Sequence, residues 1–285
     1  MLFARQQTLR AALGRDKTAI IDLMHSAPRV HVHLDWRPAE DWLGEQPFVV
    51  LERGDRLVAA LACPPDPDGL AWIRLLATHE TGSADGWWPR LWAAARESLE
   101  AQGVRYAASL SLETWSARLL EATGFTTDHA IVALARSRRS TLAESERLVS
   151  ARIRPADRDD YSAIVDVDQS AFPEPWNLSE RMLRLALEQG ENVSVAEQGG
   201  RVVGYQLTTP SHAGAHLARL AVRPESQGYG IGRALVARLI VEDQRRGHGE
   251  LTVNTQEDNH SSLAVYTRLG FRPTGVRLPV YELRW

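Results

Sequence analysis

Cysteine is almost missing. The 285 residues hold one, Cys63, so the chain cannot staple itself with a disulfide or build a cysteine-rich zinc site. Cys63 sits in an apolar run and is expected as a small buried hydrophobe, not a nucleophile. An excess of one charge is missing too. Lys and Arg number 33 against 36 Asp and Glu, a net charge of −3, which gives no general pull on nucleic acid. No apolar run is long enough to span a membrane, and residues 1–10 carry no apolar core of a secretory leader. Together these lacks suit a reducing compartment. The expectation is a cytoplasmic protein with no nucleic-acid or membrane partner and no metal. The nine histidines are scattered. His31 and His33 alternate as on one face of a strand but have no Cys or acidic partner at ligand spacing, so they read as structural.

Apolar material is plentiful. Hydrophobic residues make up 44% of a length that corresponds to about two domains. Residues 6–25 place Leu9, Leu13, Ile20 and Leu23 at helical spacing, which predicts a helix broken near Gly14. Strands are expected at 48–51, 57–62, 72–77, 106–110 and 131–135. Helices are expected at 88–102 and 115–122, ending at Gly103 and Gly124. Residues 136–147 are polar and charged, a linker composition. A similar order then begins again, with a strand at 152–156, helices at 157–171 and 178–187, and a hairpin about Gly199-Gly200. Gly54, Pro64, Leu76, Gly86, Gly103 and Gly124 fall 146 positions before Gly200, Pro210, Val222, Gly232, Gly249 and Gly270. A duplicated unit is the economical reading: a first domain at 1–136, a linker at 137–149, a second domain at 150–285. Seven of the nine tryptophans precede the linker. They read as core and interface packing, with an aromatic binding wall as the sharper alternative.

The chemistry concentrates further on. Leu217, Leu220 and Val222 mark a buried strand, which Arg223-Pro224 ends. Gln227-x-x-Gly230-x-Gly232 then opens a helix through Leu235, Leu239 and Ile240. Glycines there let a ligand approach the backbone. The free N–H groups and dipole of a helix start favour a phosphate. A P-loop would need Lys then Ser or Thr where Arg233-Ala234 stands, and Gly228-x-Gly230-x-Gly232 has the wrong spacing for the dinucleotide fingerprint. Downstream, Leu251-Thr252-Val253-Asn254 reads as a strand. Asn259-x-x-Ser262-Leu263-x-x-Tyr266-x-x-Leu269-Gly270-Phe271 reads as a helix that Gly270 caps.

These two motifs, in this order, resemble the pyrophosphate loop and the Tyr-x-x-x-Gly-Phe helix of GCN5-related N-acetyltransferases (GNAT). The resemblance implies an α/β (α+β) protein of two tandem acetyltransferase-like domains, each a mixed, mostly antiparallel sheet flanked by helices. It implies acetyl-CoA as cosubstrate, with its diphosphate on the backbone from Gln227 through Gly228, Tyr229, Gly230, Ile231 and Gly232 to Arg233. Its pantetheine arm would lie along Leu220, Ala221 and Val222, and Asn259 would help hold it. Tyr266 matches the family's general acid. Phe172-Pro173-Glu174-Pro175-Trp176 resembles a turn of the ribosomal-protein alanine acetyltransferases, and the two-copy layout resembles mycothiol synthase. In the first copy Thr81, Ala84 and Gly86 stand for Gln227, Gly230 and Gly232, and Leu120 for Tyr266. That copy is expected to be degenerate, with Asp85 repelling a diphosphate.

The family's usual base is absent: Asn254 and Arg219 stand where relatives place Glu. Glu174, His216, Glu257 and Asp258 remain as candidates. The function expected is direct acetyl transfer to a primary amine, of a small molecule or a peptide α-amine, in a ternary complex. The alternative is an inactive acyl-CoA-binding regulatory or scaffold protein.

Overall fold

The computed structural model describes residues 7–80, 84–111, 113–138, 140, 149–212, 214–247 and 249–285. Thr81, most of the linker expected at 137–149, and the side chains of Ala84 and Asp85 lie outside the described residues. The chain forms two compact units, one of Met1–Asp128 with Leu278–Trp285, the other of His129–Arg277. Among the described residues no helix is long and apolar enough to cross a membrane.

The first unit runs β1 (Gln7–Ala11), α1 (Lys17–Ser26), β2 (Arg29–Val32), β3 (Phe48–Arg53), β4 (Arg56–Ala62), β5 (Ala71–Trp72), β6 (Leu75–Thr78), α2 (Ala84–Ala101), β7 (Tyr106–Leu110) and α3 (Thr114–Ala122). The helix expected from residue 6 begins only at Lys17. Gln7–Ala11 is instead a strand, paired with β3 so that Leu9 lies opposite Leu51. A short helical pattern yields to ladder pairing over a buried sheet face. Five strands run in the order β1-β3-β4-β6-β2. The single strand expected at 72–77 is two: β5 pairs in parallel with β7, and β6 pairs with β4. Trp87, Trp88 and Trp92 of α2 are buried in the core. Trp285 meets Trp92 edge-on at 6.0 Å, so packing accounts for these tryptophans. Cys63 is fully buried, and burial pushes its thiol up to about 12. His31 is buried against Ser109 (3.4 Å), and His33 stacks on Trp72 at 4.7 Å.

The chain continues as β8 (Thr126–Ser137), β9 (Arg152–Pro155), α4 (Tyr161–Ala171), α5 (Glu180–Gln189), β10 (Asn192–Gln198), β11 (Arg201–Ser211), β12 (Gly214–Val222), α6 (Ile231–Arg246), β13 (Glu250–Gln256), α7 (His260–Arg268) and β14 (Arg272–Arg284). In the second unit the strands follow the order β8-β13-β12-β11-β10-β9, with only β12 and β13 parallel. Val236, Leu239 and Ile240 of α6, and Tyr266 and Phe271 at α7, bury Leu217, Leu251 and Val253. Sequence halves and compact units are different sets of residues. Residues 131–137 of β8 pair with β13 in the second unit, while 280–284 of β14 pair with β7 in the first.

Duplication is visible in polar contacts. Arg10 bonds both oxygens of Asp16 (2.7 and 2.9 Å) and also Glu52. Arg154 bonds both oxygens of Asp160 (2.6 and 2.8 Å) and Glu197 (2.9 Å). Each triad ties a first strand to a helix start and a hairpin strand. Helix ends repeat as well. Gly103 (φ 76) and Gly247 (φ 82) are left-handed after α2 and α6, so Gly247, not Gly249, is the true partner of Gly103. Phe125 N–H bonds Leu120 O (3.1 Å) as Phe271 N–H bonds Tyr266 O (3.0 Å).

The Arg154 guanidinium holds the Asp160 carboxyl below the usual carboxylate range. A depressed pKa contributes stability above the unfolded value of about 3.9, lost as pH falls through the folded value. Asp160→Asn is therefore expected to lose about 2 kcal/mol at pH 7. The gap to wild type should narrow as pH falls below the usual carboxylate range. Urea unfolding across that range measures it; a gap that stays constant with pH contradicts the account.

Candidate active site

The site begins where two strands part. β12 and β13 pair over only Gly214–Leu217 and 250–253, yet β12 runs on to Val222 beside β11. A bulge causes the turn away: Leu207 faces Arg219 and Thr208 faces Leu217, which leaves Ala218 extra. An extra residue bends a strand and raises its twist. Arg223 N–H bonds Val203 O at 2.8 Å. In an antiparallel pair alternate residues turn their N–H outward, so those of Leu220 and Val222 face the gap, not β11. Gln227 Nε2 takes the Val222 carbonyl at 2.9 Å. A cleft of about 1060 Å³ fills the gap.

One wall is the start of α6. Gly228 (φ 83) and Gly230 (φ 84) are left-handed, which any side chain would resist. No side chain caps the helix. The first helical N–H with a backbone acceptor is that of Ala234, to Gly230 O (3.0 Å). The N–H groups of Ile231, Gly232 and Arg233 thus have no acceptor within the helix. The opposite wall is β13 and α7. Asn259 caps α7 by accepting from Ser262 N–H (3.0 Å), while its Nδ2 donates to Gln256 Oε1 (3.3 Å). Tyr266 is buried, 5.6 Å from the Phe271 ring. Burial pushes its phenol up, so it stays protonated at neutral pH. Tyr266 lines the cleft. The structure brings every site residue expected from the sequence to this one cleft, Leu220 to Val222, Gln227 to Arg233, Asn259 and Tyr266.

The candidate bases separate. Asp258 and Asn254 both line the cleft and are exposed. Glu174 is exposed on the 172–176 turn and does not line the cleft. Glu257 is held by Arg277 (2.7 and 2.8 Å). His216 meets Thr252 Oγ1 at 2.8 Å, and burial lowers its pKa, so the ring is neutral.

One group was not legible in the sequence. Arg219 lines the cleft between Ala218 and Leu220. It grips both oxygens of the fully buried Asp168 of α4 (2.6 and 2.8 Å) and bonds Trp176 O at 2.9 Å. Its guanidinium lies 3.8 Å from the Phe172 ring, and Tyr205 Oη donates to the same Asp168. Burial works against the Arg219 charge, but the Asp168 carboxylate more than restores it, raising its pKa. Arg219 thus ties the Phe172–Trp176 turn, part of the cleft wall, to the sheet. Removing one partner of such a pair leaves a bare buried charge. Arg219→Met is expected to cost about 3 kcal/mol, largely regained in the Asp168→Leu/Tyr205→Phe/Arg219→Met triple variant, since Tyr205 Oη also donates to Asp168. Thermal and urea unfolding of both decide it; equal losses in the two contradict the account.

Fold and cleft define an α/β protein of acyltransferase type. Residues 161–271 match the Acetyltransferase (GNAT) family. The ribosomal protein bS18-alanine N-acetyltransferase of Escherichia coli (strain K12) is 32% identical over 124 residues, 43% of this chain and 81% of that protein. The chain belongs to the GNAT family and is an acetyltransferase; the family's cosubstrate is acetyl-CoA. Two solved structures share the fold along the chain. A GCN5-related N-acetyltransferase from Sphaerobacter thermophilus covers 98% of this chain and 95% of its own (18% identity, TM-score 0.64). A tandem GNAT protein from the clavulanic acid biosynthesis pathway covers 98% of each (18% identity, TM-score 0.65). At that identity both speak for the fold alone.

Proposed function

We propose that the second unit moves the acetyl group of acetyl-CoA directly to a primary amine, within the cleft between β12 and β13. The observation that supports this most is the parting of those strands beside a helix start with open N–H groups and a buried tyrosine. The diphosphate rests on the N–H groups from Gly228 to Arg233, where the helix end supplies the field. The amide-bearing arm adds to the edge at Leu220 and Val222 like a strand. A strand N–H there polarises the thioester carbonyl. The amine nitrogen attacks that carbon, a C–N bond forms and the C–S bond breaks, and Tyr266 gives its proton to the leaving sulfur. The amine proton leaves to water on the Asp258 side, and Tyr266 takes a proton back from water as CoA leaves.

Asp258, exposed, is the one carboxylate among the described residues that line the cleft, so the acceptor must arrive partly neutral. An α-amine, with pKa about 8, is about one-quarter neutral near pH 7.5; a lysine near about 10.4 is neutral in only about one molecule in a thousand. The acceptor is therefore a peptide α-amine or a small amine of similar basicity. Transfer from acetyl-CoA to a panel of α-amines, lysine side chains and small amines, with Tyr266→Phe as control, is the test. Expected is a kcat/KM that follows the ionisation of the amine. Binding of acetyl-CoA without transfer to any amine between pH 7 and 9 defeats the proposal.

A further inference from the structure

We infer that the first unit keeps the counterpart of this cleft but fills it with its own strand β2, so the chain holds one acetyl-CoA and not two. The inference rests on the reading of β12 proposed above. In the second unit the parallel ladder ends with Leu217 opposite Val253, and the cleft opens beyond. In the first unit β5 and β7 form the parallel ladder, with Ala71 opposite Ala107. Both residues stand 146 positions before Leu217 and Val253. The chain then departs in the same way. Ile73 N–H still bonds Ala108 O of β7, Arg74 N–H bonds Ala62 O of β4, both at 2.8 Å, and β6 continues beside β4.

The edge of β6 turned away from β4 is the counterpart of the open edge of β12. It is covered. β2 lies on it antiparallel, with Val32 opposite Leu75, His31 opposite Leu76 and Arg29 opposite Thr78. His33 N–H extends the ladder to Arg74 O at 3.0 Å. Across the gap, His31 Nε2 stands 3.4 Å from Ser109 Oγ of β7. β2 therefore spans both walls, and His31 is only 3% exposed there. An extended peptide and an amide-bearing arm satisfy a sheet edge in the same way. A strand of the same chain does so at an effective concentration on the order of millimolar or above, so free acetyl-CoA does not displace it. The acid is gone as well: Leu120, buried, holds the place of Tyr266.

Calorimetric titration of the 285-residue chain with acetyl-CoA, combined with amide hydrogen exchange, tests this. One acetyl-CoA per chain is expected, and in Gly232→Asp the same single site weakened on the order of 100-fold. The amides of His31 and His33, turned toward β6, should exchange slowly and equally with and without acetyl-CoA. Two acetyl-CoA per chain, one retained at wild-type affinity by Gly232→Asp, or faster exchange at His31 and His33 on adding acetyl-CoA, overturns the inference. Absence of all binding in the wild type defeats the proposed function instead; slow exchange at the two amides then still supports the occupied edge, and rapid exchange overturns it.

Discussion

Gly232→Asp is expected to raise the KM for acetyl-CoA on the order of 100-fold while leaving the fold as stable as before, or more so. The two halves of that result come from one helix end. Gly232 is the second residue of α6, and no side chain caps the helix. A carboxylate in the first turn complements the helix dipole by about 0.3–1 kcal/mol, and any non-glycine residue there orders the helix better. Space is not the obstacle: a Cβ would meet Val222 Cγ2 at 3.7 Å, an ordinary contact. The same carboxylate would face the diphosphate. One negative charge about 5 Å from another costs about 3 kcal/mol at an effective dielectric near 20. Stability and affinity should move in opposite directions. Urea unfolding with initial-rate kinetics measures both. A KM within about threefold of wild type means the diphosphate does not sit on these amides.

How much of this was legible in the sequence depended on distance along the chain. The glycine loop imposes its demands within a few residues: a left-handed backbone at Gly228 and Gly230, then a helix with bare N–H groups. Residue choice alone carries that. Tyr266 was legible for a like reason, since α7 is short and ends at a left-handed Gly270 (φ 89). The Arg219 network was not. Its partner Asp168 lies 51 positions away on another element, and a buried charged pair has no local pattern. Arg219 counted only as a missing carboxylate, although it anchors the cleft wall. Pairing was hidden in the same way. β8 and the end of β14 each look like the closing strand of their own half, but pair in the other compact unit. An alternating strand records which face is buried and says nothing of which neighbour it bonds. The misread start at Gln7–Ala11 is the converse case, where Leu9 and Leu13 matched a helical spacing over too few residues to compete with a ladder to β3. The repeat at 146 positions survived all this because glycine landmarks sit at turns. Inside the units the true offset drifts, to 144 for Arg10 and Asp16 against Arg154 and Asp160.

Tyr266→Phe is expected to lower kcat by about 10²- to 10⁴-fold, the range for a positioned general acid, with the KM for acetyl-CoA nearly unchanged. The substitution removes one oxygen and keeps the ring, so the packing on Phe271 survives. The ring keeps its place and volume, so stability at neutral pH should change little. The expected pH behaviour follows from its environment. Burial raises the phenol, and a folded pKa above the unfolded one favours folding below the unfolded value of about 10, a gain lost as pH rises through the folded value. At pH 7 the phenol is protonated folded and unfolded, so wild type and Tyr266→Phe should be about equally stable; above about pH 10 wild type should lose stability that the variant keeps. Rates should part the variants again by leaving group. A thioester whose thiol is more acidic needs less protonation on departure, so the loss in Tyr266→Phe should shrink with such an acetyl donor. A kcat within about fivefold of wild type, or a loss that ignores the leaving group, removes Tyr266 from the acid's role and leaves it a core aromatic.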